Sequence, residues 1–232
     1  MKAKDLSTKA QQCFEYLQAD PGDQPLADCL MTILRQLPQV SPWLRLDKLV
    51  SIYQLGYGAK LDAQLDRYRR LDSLETVLQF DNLYKYKDEK DQKEKIYRHQ
   101  HRLGAVILRS AGEKLSKQTN LIAQCQSFEE LLQRVQSATR PVHQFGPLAV
   151  YDTALRIGAK RDMWPEVVYL HAGTMKGYKE LMKTRVKQGW VPLDDLPEEV
   201  RVLEPHHAEN FLCIFEGLFN NSGSRGVGKP CC

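Results

Sequence analysis

Four lysines, Lys176, Lys179, Lys183 and Lys187, recur every three or four positions, with Arg185 among them and Glu180 as the nearest opposing charge. On a helix that spacing collects them on one face as a cationic ridge. Such a ridge can track a phosphate backbone without sequence preference, at a Kd of roughly 10⁻⁴ to 10⁻⁶ M that weakens steeply with salt. The competing reading is a solvated lysine face on an amphipathic helix whose inner stripe is Met175, Tyr178, Met182 and Val186. Just upstream, the apolar run from Pro165 to Leu170 leads through His171 to Gly173-Thr174, where Thr174 is placed to cap that helix. An imidazole at His171 can shuttle a proton, or simply satisfy a buried carbonyl.

Other chemistry is argued against by its spacing. His99 and His101 stand two apart, which on a helix turns them to nearly opposite faces, and His206 with Glu209 is a half-site without a partner motif. No metal and no cofactor are therefore expected. Gly223, Gly228 and Lys229 match the spacing of a phosphate-binding loop, but Pro230 stands where a magnesium-binding hydroxyl is needed. The terminal Cys231-Cys232 pair has the form of a doubly prenylated end, yet no GTPase-like core precedes it.

The elements that must position these residues read as helices. Leu6, Ala10, Cys13, Phe14 and Leu17 repeat at helical period until Pro21-Gly22-Asp23 breaks it. Leu26 to Leu37 and Trp43 to Tyr53 repeat the pattern, Gly56 and Gly58 end that group, and Leu61 to Leu71 suggests a further helix. Ser127 and Glu130 form a capping box that starts a helix closed by Pro141. A second apolar helix runs from Pro147 to Gly158, and a terminal core helix from Pro205 to Phe219. Strand signals are confined to Trp190–Leu193 and Glu199–Leu203. Between Asp81 and Arg102, dense charges of both signs indicate a solvated helix face or a connector, while Tyr84, Tyr86 and Tyr97 among them keep base stacking open.

Composition sets the class. With 232 residues, 42% hydrophobic and 27% charged, the chain can bury a core and is expected to be mainly α, a multi-helical globular protein. Three segments are expected: a helical region with a charged connector over 1–124, a helical domain over 125–219, and a disordered tail over 220–232. No apolar run approaches membrane-spanning length, and the six cysteines form neither a disulfide framework nor a zinc spacing, so a cytoplasmic location with reduced thiols is expected. A net charge of +4 decides nothing by itself.

The segment Val142-His143-Gln144-Phe145-Gly146-Pro147 followed by an apolar helix resembles the second half of the helix-hairpin-helix element of DNA glycosylases and related DNA-binding proteins. In that family a glycine hairpin lets backbone amides at a helix start approach a phosphate, and Gly146 is the matching residue. Gln144 stands where the family carries its first glycine. A second alignment sets Val150 to Gly158 beside the segment that presents the catalytic aspartate of such glycosylases. It implies Asp152 as the carboxylate that stabilises charge on the sugar, whereas the alternative for Asp152 is a polar position on a buried helix.

Three functions follow as expectations. The first is a non-enzymatic, DNA-associated protein that meets phosphates through Gly146, Lys176, Lys179, Lys183 and Lys187. The second is a glycosylase-like hydrolase using Asp152 and His171, and the third a protein-interaction scaffold built on the charged 81–102 segment.

Overall fold

Amphipathic periodicity translates directly into helices. The computed structural model describes residues 3–38, 41–87, 92–184, 186 and 188–219, and these are mainly helical with two small antiparallel sheets. They group into two compact units: residues up to Gln64 together with the chain from Val167, and Leu65–Glu166.

In the first unit, α1 (Ala3–Ala19) buries Leu6, Ala10, Phe14 and Leu17 where it packs on α2 (Gln24–Leu34). The Asp23 carboxylate caps α2 by accepting the Leu26 N–H at 2.9 Å. The chain then forms α3 (Leu46–Tyr53), which continues through a π-helical turn, Gln54–Gly58, straight into α4 (Ala59–Arg69). Gly56 and Gly58 therefore do not end the helical group as the sequence suggests. Instead they make room: a Cβ on Gly56 would lie 2.7 Å from Ala27 Cβ, and one on Gly58 3.2 Å from the Tyr53 ring. Close packing, not helix breaking, selects glycine at both positions.

The second unit holds α5 (Leu74–Leu78), α6 (Phe80–Tyr84), β1 (Lys85–Lys87), β2 (Glu94–Ile96), α7 (Arg98–His101), α8 (Gly104–Ser116), α9 (Thr119–Gln124), α10 (Phe128–Thr139) and α11 (Pro147–Arg161). The charged stretch thus contains a strand pair, with Tyr86 opposite Lys95. Lys85 is engaged within it, its Nζ lying 2.6 Å from Asp81 and 3.0 Å from Glu94. Tyr86 stacks on Tyr97 at 5.1 Å. The capping box is realised, with Ser127 Oγ accepting the Glu130 N–H at 3.2 Å and Glu130 reaching back to the Gln126 N–H at 2.8 Å. Since α10 packs on both α8 and α11, the division expected at residue 124 falls inside this unit.

A buried cation sits at the centre of that packing. Arg156 of α11 is 4% exposed, lies 4.3 Å from the centre of the Tyr97 ring, and donates to Leu83 O at 3.1 Å and to Gln100 Oε1. Among the described residues no carboxylate pairs with it, so carbonyl dipoles and a π face carry the charge. Burial pushes the neighbouring Tyr68 phenol well up, against a smaller pull downward from Arg156. Helix α11 runs beyond Gly158, its expected end, to Arg161, and Asp162 closes it in the left-handed region at φ 53°. A Cβ on Gly158 would sit 2.5 Å from Met163 O, so this glycine admits the returning chain.

The first unit is completed by β3 (Val167–Tyr169), α12 (Ala172–Met182), β4 (Trp190–Pro192), α13 (Glu198–Arg201) and α14 (Pro205–Ile214), with β3 and β4 antiparallel. Residues 199–203 are not a strand: Pro197 precedes the first turn and Glu198 and Glu199 occupy it, which favours a helix. Nor does Thr174 cap α12, because His171 occupies the N-cap and Gly173 lies within the helix. A Cβ on Gly173 would stand 2.6 Å from Cys213 Sγ, and one on Gly177 2.0 Å from Leu212 O. Gly177 lets α12 meet the α14 backbone directly and Gly173 makes room for the Cys213 side chain, and Thr174 between them is buried and donates to the Glu209 carboxylate.

Two stability measurements check this packing. Gly177→Ala should destabilise by about 2 kcal/mol through overpacking, although alanine is the better helix former by about 1 kcal/mol, so the sign of the shift in urea midpoint decides the matter. Arg156→Ala should cost about 3 kcal/mol by stranding buried acceptors, with Arg156→Lys recovering little because one ammonium cannot reproduce the planar fork over Tyr97.

Candidate functional site

The α10–α11 connection has the form of a tight hairpin. After Thr139 the chain makes three short backbone bonds, Val142 N–H to Thr139 O at 2.8 Å, Phe145 N–H to Val142 O at 3.2 Å, and Gly146 N–H to Gln144 O at 2.9 Å. Val142 and Phe145 are buried and anchor the turn, while Arg140, His143 and Gln144 are exposed around it. Gln144 adopts φ 69°, the left-handed conformation that costs a side-chain-bearing residue about 1 kcal/mol or more. That is the position at which the helix-hairpin-helix pattern carries glycine.

Gly146 is the N-cap of α11, at φ −80°, and needs no glycine for its backbone angles. Its distinguishing property is clearance, since an added Cβ would meet nothing within 4 Å. It offers no capping side chain, and with Pro147 at the first helical position the Leu148 and Ala149 N–H groups are left at the helix start without an intrahelical acceptor. The positive end of a 15-residue helix therefore opens at an unobstructed glycine.

The lysine ridge is largely committed to structure. Lys176 Nζ lies 3.2 Å from Glu216, Lys183 Nζ donates to Phe219 O at 3.1 Å, and Glu180 accepts the Gly217 N–H at 2.6 Å. These ties fasten residues 216–219 to α12. Lys183 is also past the helix, at φ 51° in a left-handed C-cap, so the ridge stops there. Lys187 and Arg185 lie outside the described residues. Lys179 remains exposed on α12.

Asp152 is half-buried on α11 between fully buried Tyr151 and Thr153, in the second unit. His171, half-buried at the start of α12, belongs to the first unit and lies parallel to the Tyr169 ring at 6.4 Å. Gly146 is in the second unit and the lysines in the first.

Sequence reasoning missed a cluster in the first unit. His207 Nε2 lies 3.0 Å from Asp62 Oδ1, and its Nδ1 lies 2.9 Å from the hydroxyl of Tyr53, whose oxygen accepts from Asn210 Nδ2 at 3.3 Å. The His206 ring is 4.4 Å from that of His207, and one ligand atom from each of Asp62, His206 and His207 falls within 4.8 Å of the others. These three could hold a metal ion. Glu209, the three-residue partner of His206 along the chain, is instead occupied by Thr174. Because 145 positions separate Asp62 from His207, chain spacing carried no signal of the pair.

Comparison with protein-family models, with curated proteins and with solved structures finds no match to this chain.

Proposed function

We propose that the protein is a non-enzymatic, helical DNA-associated protein that contacts the phosphate backbone through the turn at Gly146. The observation that carries this reading is the backbone of residues 142–149: a left-handed Gln144, a glycine with open space before it, and amides at the start of α11 without a capping side chain. Backbone amides at a helix start are suited to a phosphate oxygen, and clearance at the N-cap lets one approach closely. Exposed Arg140 and His143 flank the turn and favour an anion. Lys179 of the first unit is a further available cation, while Lys176 and Lys183 already serve Glu216 and Phe219.

The hydrolase reading has less behind it: Asp152 is a half-buried polar position between buried Tyr151 and Thr153, and His171 stacks on the Tyr169 ring. A cytoplasmic setting fits the four described cysteines, Cys13, Cys29, Cys125 and Cys213, which are free thiols. Among the described residues no helix is long and apolar enough to cross a membrane.

Fluorescence anisotropy with short duplex DNA across a salt series tests the proposal. The wild-type protein should bind with a Kd of roughly 10⁻⁴ to 10⁻⁶ M at physiological salt, weakening as salt rises. Gly146→Glu, which places a carboxylate where the phosphate would enter, should abolish binding while leaving the melting temperature nearly unchanged. Arg140→Gln should reduce the salt slope by about 1. Absence of binding at low salt, or equal binding by Gly146→Glu, removes the reading.

The turn geometry generates a second expectation. Gln144→Gly should raise stability by about 0.5 kcal/mol, the relief of left-handed strain exceeding the added entropy of the unfolded chain. A lowered melting temperature would contradict the conformation at this position.

A further inference from the structure

Histidine side chains packed at a helix start beside a carboxylate form a donor set that the DNA-contact reading does not use. Pro205, His206 and His207 make the first turn of α14, and Asp62 of α4 comes up against that turn from elsewhere in the chain. Two carboxylates lie against these imidazoles: Asp62 at 3.0 Å from His207 Nε2, and Glu204 at 3.6 Å from His206 Nδ1.

We propose that Asp62, His206 and His207 bind a first-row divalent cation of the zinc type, with Tyr53 and Asn210 orienting His207. The donor types, two imidazoles and one carboxylate, suit Zn(II) and its neighbours and leave a coordination position for water. The separation between His207 Nε2 and Asp62 Oδ1, 3.0 Å, is already close to the ~3.3 Å expected between two donors each ~2.0 Å from a tetrahedral ion. His206, with its ligand atom within 4.8 Å of the others, closes on the same point by about 1 Å or more of side-chain movement.

Tyr53 supplies the orienting partner that a metal-bound histidine needs. Its side chain is fully buried and packed edge-on against both His207 and Phe211, so its hydroxyl is held in place. A carboxylate only accepts, so against Asp62 a neutral His207 carries its proton on Nε2 and takes the Tyr53 proton as acceptor at Nδ1. On metal binding the ring changes tautomer: Nε2 ligates, Nδ1–H donates to the Tyr53 oxygen, and the tyrosine hydroxyl turns away. The outer partner then fixes both the ring plane and the tautomer.

Metal titration of the full-length protein tests this. Zn(II) is measured by competition with a chromophoric chelator, and Co(II) by its visible absorption and by the paramagnetic shifts it induces on histidine imidazole protons. The expected result is one saturable equivalent, a rise in melting temperature with Zn(II), and shifted signals from two imidazoles. Asp62→Ala changes an exposed side chain and should leave the metal-free fold intact while weakening Zn(II) at least ~100-fold, more than the loss of an orienting partner costs. Tyr53→Phe keeps all three ligands and the ring packing and should weaken Zn(II) about 10-fold. Absence of a saturable equivalent overturns the proposal. So does binding that survives undiminished in both Asp62→Ala and His207→Gln, which would assign the metal to the cysteine thiols.

Discussion

The contact between the backbones of α12 and α14 governs the first unit. Gly177 faces the Leu212 carbonyl so closely that no side chain fits between them, and Gly173 does the same toward Cys213. Helices that meet through glycine have little freedom to slide, because a shift by one residue would drive a Cβ into the partner's backbone. The Thr174–Glu209 bond inside the crossing adds a buried polar lock that tolerates one register. From that register follows the position of the α14 start, and with it the meeting of His206 and His207 with Asp62 and Tyr53. The lysines of α12 complete the arrangement by gripping residues 216–219, which is a structural use of charge that the sequence reads as a phosphate-tracking face.

The second unit depends on a different device. Arg156 brings a permanent charge into the interior and distributes it over a carbonyl, an amide and a tyrosine ring. A charge buried in that way is costly unless its partners are all in place, so α6, α7 and α11 must assemble together for any of them to be well placed. That constraint holds α11 rigidly behind the turn at Gly146. The phosphate contact proposed for this turn needs such support, since amides aimed at an anion are effective only when the helix behind them does not move. The same logic explains why Gln144 tolerates a left-handed backbone: buried Val142 and Phe145 on either side over-determine the turn.

Helix starts and amphipathic runs were legible from local chemistry. Ser127 acts on an amide three residues away, so its effect is written in the sequence next to it, and α1, α2, α10 and α14 begin near where their residues indicate. Glycine was misread each time its role was tertiary. Gly56, Gly58 and Gly158 looked like helix ends and Gly173 like the turn before a helix, but a neighbouring backbone or side chain lies where their Cβ would be. Clearance is a property of two segments, and one segment cannot display it.

What the amino-acid order determined by itself is the helical class, the capping box at Ser127 and the Trp190–Pro192 strand, because periodicity and capping act over a few residues. What only the tertiary structure decided is which charges are spent and which donors converge. Lys176 and Lys183 are engaged by residues 36 to 40 positions away, and the Asp62–His207 pair spans 145. Contacts over such distances arise from the packing of whole helices, whose geometry depends on van der Waals fit across the interior and leaves no periodic trace along the chain.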